Sequence, residues 1–135
     1  MTALARWARA SGDRERGAAA VEFALVLPLL LAILFGIVDF GRAYFADLTV
    51  THAAREGARA LAVGNDATAA ATSAAAALTV GVTPSTCTPG DAGSVTVSHD
   101  FTFVTPIGPI LGLLGGGGFD ESITLESTGT MQCGG

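Results

Sequence analysis

Residues 17–38 read GAAAVEFALVLPLLLAILFGIV, and the medium this stretch occupies decides how the rest of the chain is arranged. Phe23 to Val38 is sixteen residues without a charge, twelve of them Leu, Ile, Val or Phe. At the centre of a membrane helix each such residue favours insertion by about 0.3–0.6 kcal/mol, so the twelve together contribute about 4–7 kcal/mol. Glu22, near the edge, costs at most about 3 kcal/mol. As a helix the stretch from Gly17 to Val38 is about 33 Å long, enough to cross a hydrocarbon core. One membrane span is expected, over residues 18–38.

Charge orients it. All seven basic residues are Arg, and four of them (Arg6, Arg9, Arg14, Arg16) precede the span; beyond Arg16 three Arg face ten acidic residues. The basic leader, residues 1–17, is expected in the cytoplasm, with residues 39–135 as one domain outside the cytoplasmic membrane. An acidic domain of this kind has no basic stripe to neutralise phosphates, which argues against nucleic acid as a partner. A cleaved secretory signal would share the basic start, but residues 39–47 (DFGRAYFAD) offer no small-x-small site behind the apolar run. An unprocessed signal anchor stays open.

Helical periodicity continues past the span. Asp39 to Val63 contains no Pro, and apolar residues recur at Phe40, Tyr44, Leu48, Ala54, Ala58 and Leu61, mostly in steps of three and four, which predicts an amphipathic helix continuous with the span. Pro28 is expected to kink or loosen the membrane part. Gly64-Asn65 ends the helix. Asp66 caps a second, Ala-rich helix running to about Ala77. Alternation with a period of two then marks strands. In Ser94–Val104 the odd positions are Val95, Val97, His99, Phe101 and Phe103; Ile123–Met131 repeats the scheme; Leu78, Val80 and Val82 form a shorter run. These predict a three-stranded antiparallel sheet with one face on the long helix, an α+β arrangement. Between the second and third strands, Thr105–Asp120 is apolar and ends in glycines. It is read as a hairpin loop whose Ile107, Ile110, Leu111, Leu113 and Leu114 fold back on the core, with an exposed apolar patch as the alternative.

Two cysteines, Cys87 and Cys133, permit one intramolecular bond, the natural state outside the cytoplasm; two free thiols are the alternative. No Cys/His cluster has metal-ligand spacing, no cofactor-binding motif is present, and no catalytic triad, phosphate loop or carboxylate pair is set up. The chain is not expected to be an enzyme. His99 is read as a satisfied core histidine and His52 as solvent-facing.

The boundary before the span is distinctive. Arg16-Gly17, then AAAV, then Glu22-Phe23 resembles the processing site of prepilins, at which a membrane-embedded prepilin peptidase cuts on the cytoplasmic side after the glycine. The resemblance implies cleavage between Gly17 and Ala18, with Glu22 close to the new amine. From Arg16 to Arg59 the sequence is similar to the defining region of TadE-like proteins: the Glu22-Phe23 opening, the core beginning at Pro28, the exit Asp39-Phe-Gly41-Arg42 and the close AAREGAR (Ala53–Arg59). It covers about a third of the chain. The resemblance implies a pilin-like fold and a minor or pseudo-pilin of a tight-adherence pilus assembly system, partnered by the bilayer, by other pilin-like subunits and by assembly proteins. It also marks Arg55, Glu56, Gly57 and Arg59 as candidates for partner contact or domain docking; a solvated helix face is the plainer alternative. A different class stays open, an unprocessed single-pass anchor carrying an adaptor domain.

Overall fold

The computed structural model describes residues 4–106, 108, 109, 112, 115 and 122–134, with side chains from residue 16 on. One helix, α1 (Leu4–Ala62), dominates it. It is followed by α2 (Ala67–Ala74) and by strands β1 (Gly81–Pro84), β2 (Ala92–Thr102) and β3 (Ser122–Gln132). The sheet is antiparallel in the order β1-β2-β3. Long helix, short helix and three-stranded sheet make the expected α+β architecture. The helix continues through Pro28, which has no amide hydrogen and so cannot donate to the Ala24 carbonyl one turn back. The fold-back of the Thr105–Asp120 apolar residues lies outside the described positions.

Local chemistry sets each boundary. α1 ends in a Schellman motif: the Asn65 amide donates to the Ala60 carbonyl at 2.9 Å and the Gly64 amide to Leu61 at 3.1 Å, with Gly64 at φ 76°. The Asp66 carboxylate accepts from the Ala69 amide at 3.0 Å and starts α2. α2 stops at Ala74, a turn before the expected Ala77, because the chain closes a tighter turn, with the Leu78 amide on the Ala75 carbonyl at 2.7 Å. β1 is likewise shorter than expected; Leu78 and Val80 lie ahead of it and pack on the core.

β2 pairs β3 over its whole length, Ala92 opposite Gln132 and Thr102 opposite Ser122. It begins and ends two residues earlier than its alternation suggests. Gly93 and Ala92 extend the ladder at one end, whereas at the other Val104 and Thr105 turn their amides to Asp39. Val95, Val97 and Phe101 are buried; Phe103 lies past the strand and meets Phe101 edge to face, with centroids 5.5 Å apart.

The core is built largely of small residues: Val50, Ala53, Ala54 and Ala58 of α1, Ala67 and Ala71 of α2, Ala75 beyond it, and Val95 and Val97 of β2. This requires one correction. Phe40, Tyr44 and Leu48 do not belong to the face of α1 that meets the domain; they are 75, 58 and 50% exposed. The buried stripe is Asp39, Ala46, Val50, Ala53, Ala54 and Ala58. Large side chains would hold the backbones apart, and the close contact between α1 and the sheet selects alanine and glycine instead.

Candidate functional site: the exit of the long helix

Asp39 is the first residue after the apolar stretch, and it is only 2% exposed. A carboxylate removed from water needs donors. It finds them in the chain leaving β2, whose Val104 amide lies 3.3 Å from Oδ1 and whose Thr105 amide lies 3.3 Å from Oδ2. The Thr105 hydroxyl donates to Oδ2 as well. One turn on, Arg42 Nη1 stands 3.5 Å from Asp39 Oδ1 and donates to the Thr102 carbonyl at 3.4 Å. Its guanidinium carbon lies 5.1 Å from the Phe101 ring centroid. Burial by itself raises the Asp39 carboxyl, but the Thr105 and Val104 hydrogen bonds and the Arg42 charge outweigh it and hold the group below the ordinary carboxylate value. The acid-Phe-Gly-Arg exit is therefore a latch between the end of the apolar stretch and the near end of the sheet.

Above the latch the motif AAREGAR splits by helical geometry. Ala53, Ala54, Gly57 and Ala58 are buried on one face, while Arg55 and Arg59 are exposed on the other. Glu56 pairs with Arg59 at 3.3 Å across the exposed side, a surface pair that contributes little to stability. A Cβ on Gly57 would lie 3.0 Å from Val95 Cγ1 and 3.1 Å from Ala71 Cβ; the glycine admits α2 and β2 to the helix. β3 uses the same device. A Cβ on Gly129 would collide with the Ala54 carbonyl oxygen.

At the far end Cys87 and Cys133 are joined, Cα atoms 5.7 Å apart. The Gly134 amide beside that bond donates to the Ala62 carbonyl at 3.0 Å, tying the end of β3 to the end of α1. His99 is half-buried and satisfied, its Nδ1 2.8 Å from the Thr79 carbonyl. Since a carbonyl only accepts, Nδ1 carries the proton. His52 is exposed.

The residues singled out in the sequence thus separate. Asp39, Arg42 and Gly57 hold the protein's own domain, with Asp39 and Gly57 turned inward. Gly17, Ala18, Glu22, Phe23 and Pro28 are exposed along the apolar part of α1, away from the domain. Gly41 is exposed as well, and a Cβ at Gly17 or Gly41 would meet nothing within 4 Å. Sequence reasoning missed Thr102, Val104 and Thr105 as partners of Asp39, although an acid at the edge of an apolar stretch signals a need for donors. It also missed Gly129, whose signal was a glycine in the inward phase of a strand (Ile123, Leu125, Ser127, Gly129). Among the described residues no group of His, Cys, Asp or Glu is placed to hold a metal ion.

α1 is long and apolar enough to cross a membrane, and none of its apolar window is buried by the protein. The family model described as TadE-like protein matches residues 17–59, a third of the chain, beginning at Gly17 and ending at the last arginine of AAREGAR. That match implies a protein associated with a tight-adherence pilus system. No curated protein and no solved structure matches the chain.

Proposed function

We propose that this TadE-like chain is a pilin-like structural component, a minor or pseudo-pilin, of a bacterial tight-adherence pilus assembly system. The observation that carries the proposal is the division of α1. One face beyond Val38 is consumed by the domain, while Phe40, Tyr44 and Leu48 carry the exposed apolar surface of residues 18–38 onward along another face, with exposed Asp47 beside them. Such a face is suited to packing beside the helices of other pilin-like subunits. The Arg-rich leader orients the N-terminus to the cytoplasm and the domain outside, where a disulfide persists.

Processing completes the reading. A prepilin peptidase cuts after Gly17, leaving Ala18 as a charged amine with a pKa near 8. Gly17 lies within α1, so cleavage needs the helix to open locally, and glycine lowers the helix preference there by about 1 kcal/mol relative to alanine. Glu22 is about 6–8 Å along its own helix from that amine, too far to pair easily. It pairs instead with the amine of a neighbouring, staggered subunit, because an unpaired carboxylate at the membrane edge is costly. Catalysis has no part in this function.

Intact mass and N-terminal sequencing of membrane-extracted protein test it: the expected species begins at Ala18. Gly17→Trp is expected to leave only the longer species, and Glu22→Ala to be cut normally yet fail to enter the pilus system. A wild-type chain that retains its leader would identify an unprocessed anchor and refute the processed-pilin reading.

A further inference from the structure

A cavity of about 400 Å³ opens beside the latch, where α1 leaves its apolar stretch. Ile37 and Val38, the last residues of the span, form one wall; Phe45 and Phe101 form others; Arg42 and His99 supply the polar edges. Its size lies in the range of small-molecule sites, and its mix of apolar walls with a few polar groups is the usual composition of one. Helix geometry sets its depth. Arg42 is four residues past Val38, about 6 Å along the axis. A headgroup layer extends about 5–7 Å beyond the hydrocarbon core, so the guanidinium lies at the level of lipid phosphates. Phe40, Tyr44 and Phe45 are exposed at the same level, as aromatic rings are in an interfacial belt.

We infer that this cavity holds one anionic phospholipid, its acyl chain entering along Ile37 and Val38 against Phe45 and Phe101 and its phosphate on Arg42. The inference rests on residues 18–38 spanning the membrane. Two features favour a lipid as the occupant: the cavity is continuous with the span, and its rim bears a cation. Asp39 lies 3.5 Å from Arg42 Nη1 and offsets part of that charge. It is 2% exposed, however, and its oxygens are taken by the amides of Val104 and Thr105 and the Thr105 hydroxyl. The Arg42 side chain is 44% exposed and is the charge the rim presents. Arg42 uses only Nη1 in the contacts among the described residues, and a guanidinium has five N–H donors. His99, held by Thr79, presents the remaining edge of its ring.

Native mass spectrometry of the full chain, released from micelles containing equal amounts of phosphatidylglycerol and phosphatidylcholine, tests the site. One retained phosphatidylglycerol per chain is expected, preferred over phosphatidylcholine about fivefold, the effect of one arginine near an anionic surface. Arg42→Gln removes the preference. Gly41→Leu fills the cavity from a position where a Cβ meets nothing within 4 Å; it removes the retained lipid and leaves thermal unfolding of the domain unchanged. Inorganic phosphate added in excess does not displace the lipid. Equal retention of the two lipids, wild-type retention by Gly41→Leu, displacement by phosphate, or a lipid-free pair of chains in place of the lipid complex would each overturn the inference. Loss of the protein from carbonate-washed membranes would remove the span itself, a failure distinct from these.

Discussion

Residues 18–38 and 39–62 belong to one unbroken helix, yet they are shaped by different demands. The first part is apolar on all sides apart from Glu22, and none of its apolar window is buried by the domain. The second is two-faced, with Asp39, Ala46, Val50, Ala53, Ala54 and Gly57 turned to the sheet and Phe40, Tyr44, Leu48 and Arg55 turned away. Identical residue types therefore carry different meanings. A glycine at 57 exists for close approach, whereas at 17 and 41 the fold leaves open space. Buried Asp39 is a structural contact, and exposed Glu22 is a group the fold does not use.

If that contrast holds, substitutions in the outer half and its domain cost stability and those on the free face do not. The largest effect is expected from the disulfide. Cys87 and Cys133 are separated by 46 residues, and in the chain-entropy model a loop of that length stabilises the folded state by about 4 kcal/mol. Chemical denaturation of full-length C87A/C133A protein in detergent checks this. Gly129→Ala comes next, at about 3 kcal/mol, the upper end for overpacking, since the new methyl must push the Ala54 carbonyl and thus the helix from the sheet. Its midpoint in the same denaturation measures the loss.

Asp39→Ala follows, at about 2 kcal/mol, because it strands the Val104 and Thr105 amides. The same carboxylate gives a pH dependence of known sign. Its folded value lies below the ordinary 3.8, so its contribution is fully present above that pH and is lost as pH falls through the lower folded value. Amide exchange at Val104 and Thr105 reports the opening of the latch, which is expected on acidification of the wild type and at neutral pH in the variant. Leu48→Ala is the smallest, within about 0.5 kcal/mol, since Leu48 lies on the free face. A cost comparable to that of Asp39→Ala would show that the free face is part of the folded core.

Much of this was legible in sequence because it depends on local pattern. The apolar run, the Gly64-Asn65 stop, the Asp66 cap and the alternation of Val95 and Val97 each have a signature within a few residues. The face of α1 did not. Phe40, Tyr44 and Leu48 follow a helical period as well as Ala46, Val50 and Ala53 do, and periodicity cannot say which stripe meets the domain. Small residues win because Gly57 and Gly129 bring backbones together. The latch was illegible for another reason: Asp39 and Thr105 are separated by 66 positions, and only the completed sheet brings them together. The candidate assembly residues Gly17 and Glu22 were visible through resemblance alone, for no packing in the fold calls for them.

On the proposed reading, the face bearing Phe40, Tyr44 and Leu48 packs against other subunits. A photo-crosslinking amino acid placed at Tyr44, with a control at Val50, tests it in cells that express the complete pilus system. Tyr44 is expected to give a covalent adduct with a second pilin-like chain, and Val50, fully buried in its own domain, none. Lipid adducts alone at Tyr44, with no protein partner, would contradict the account.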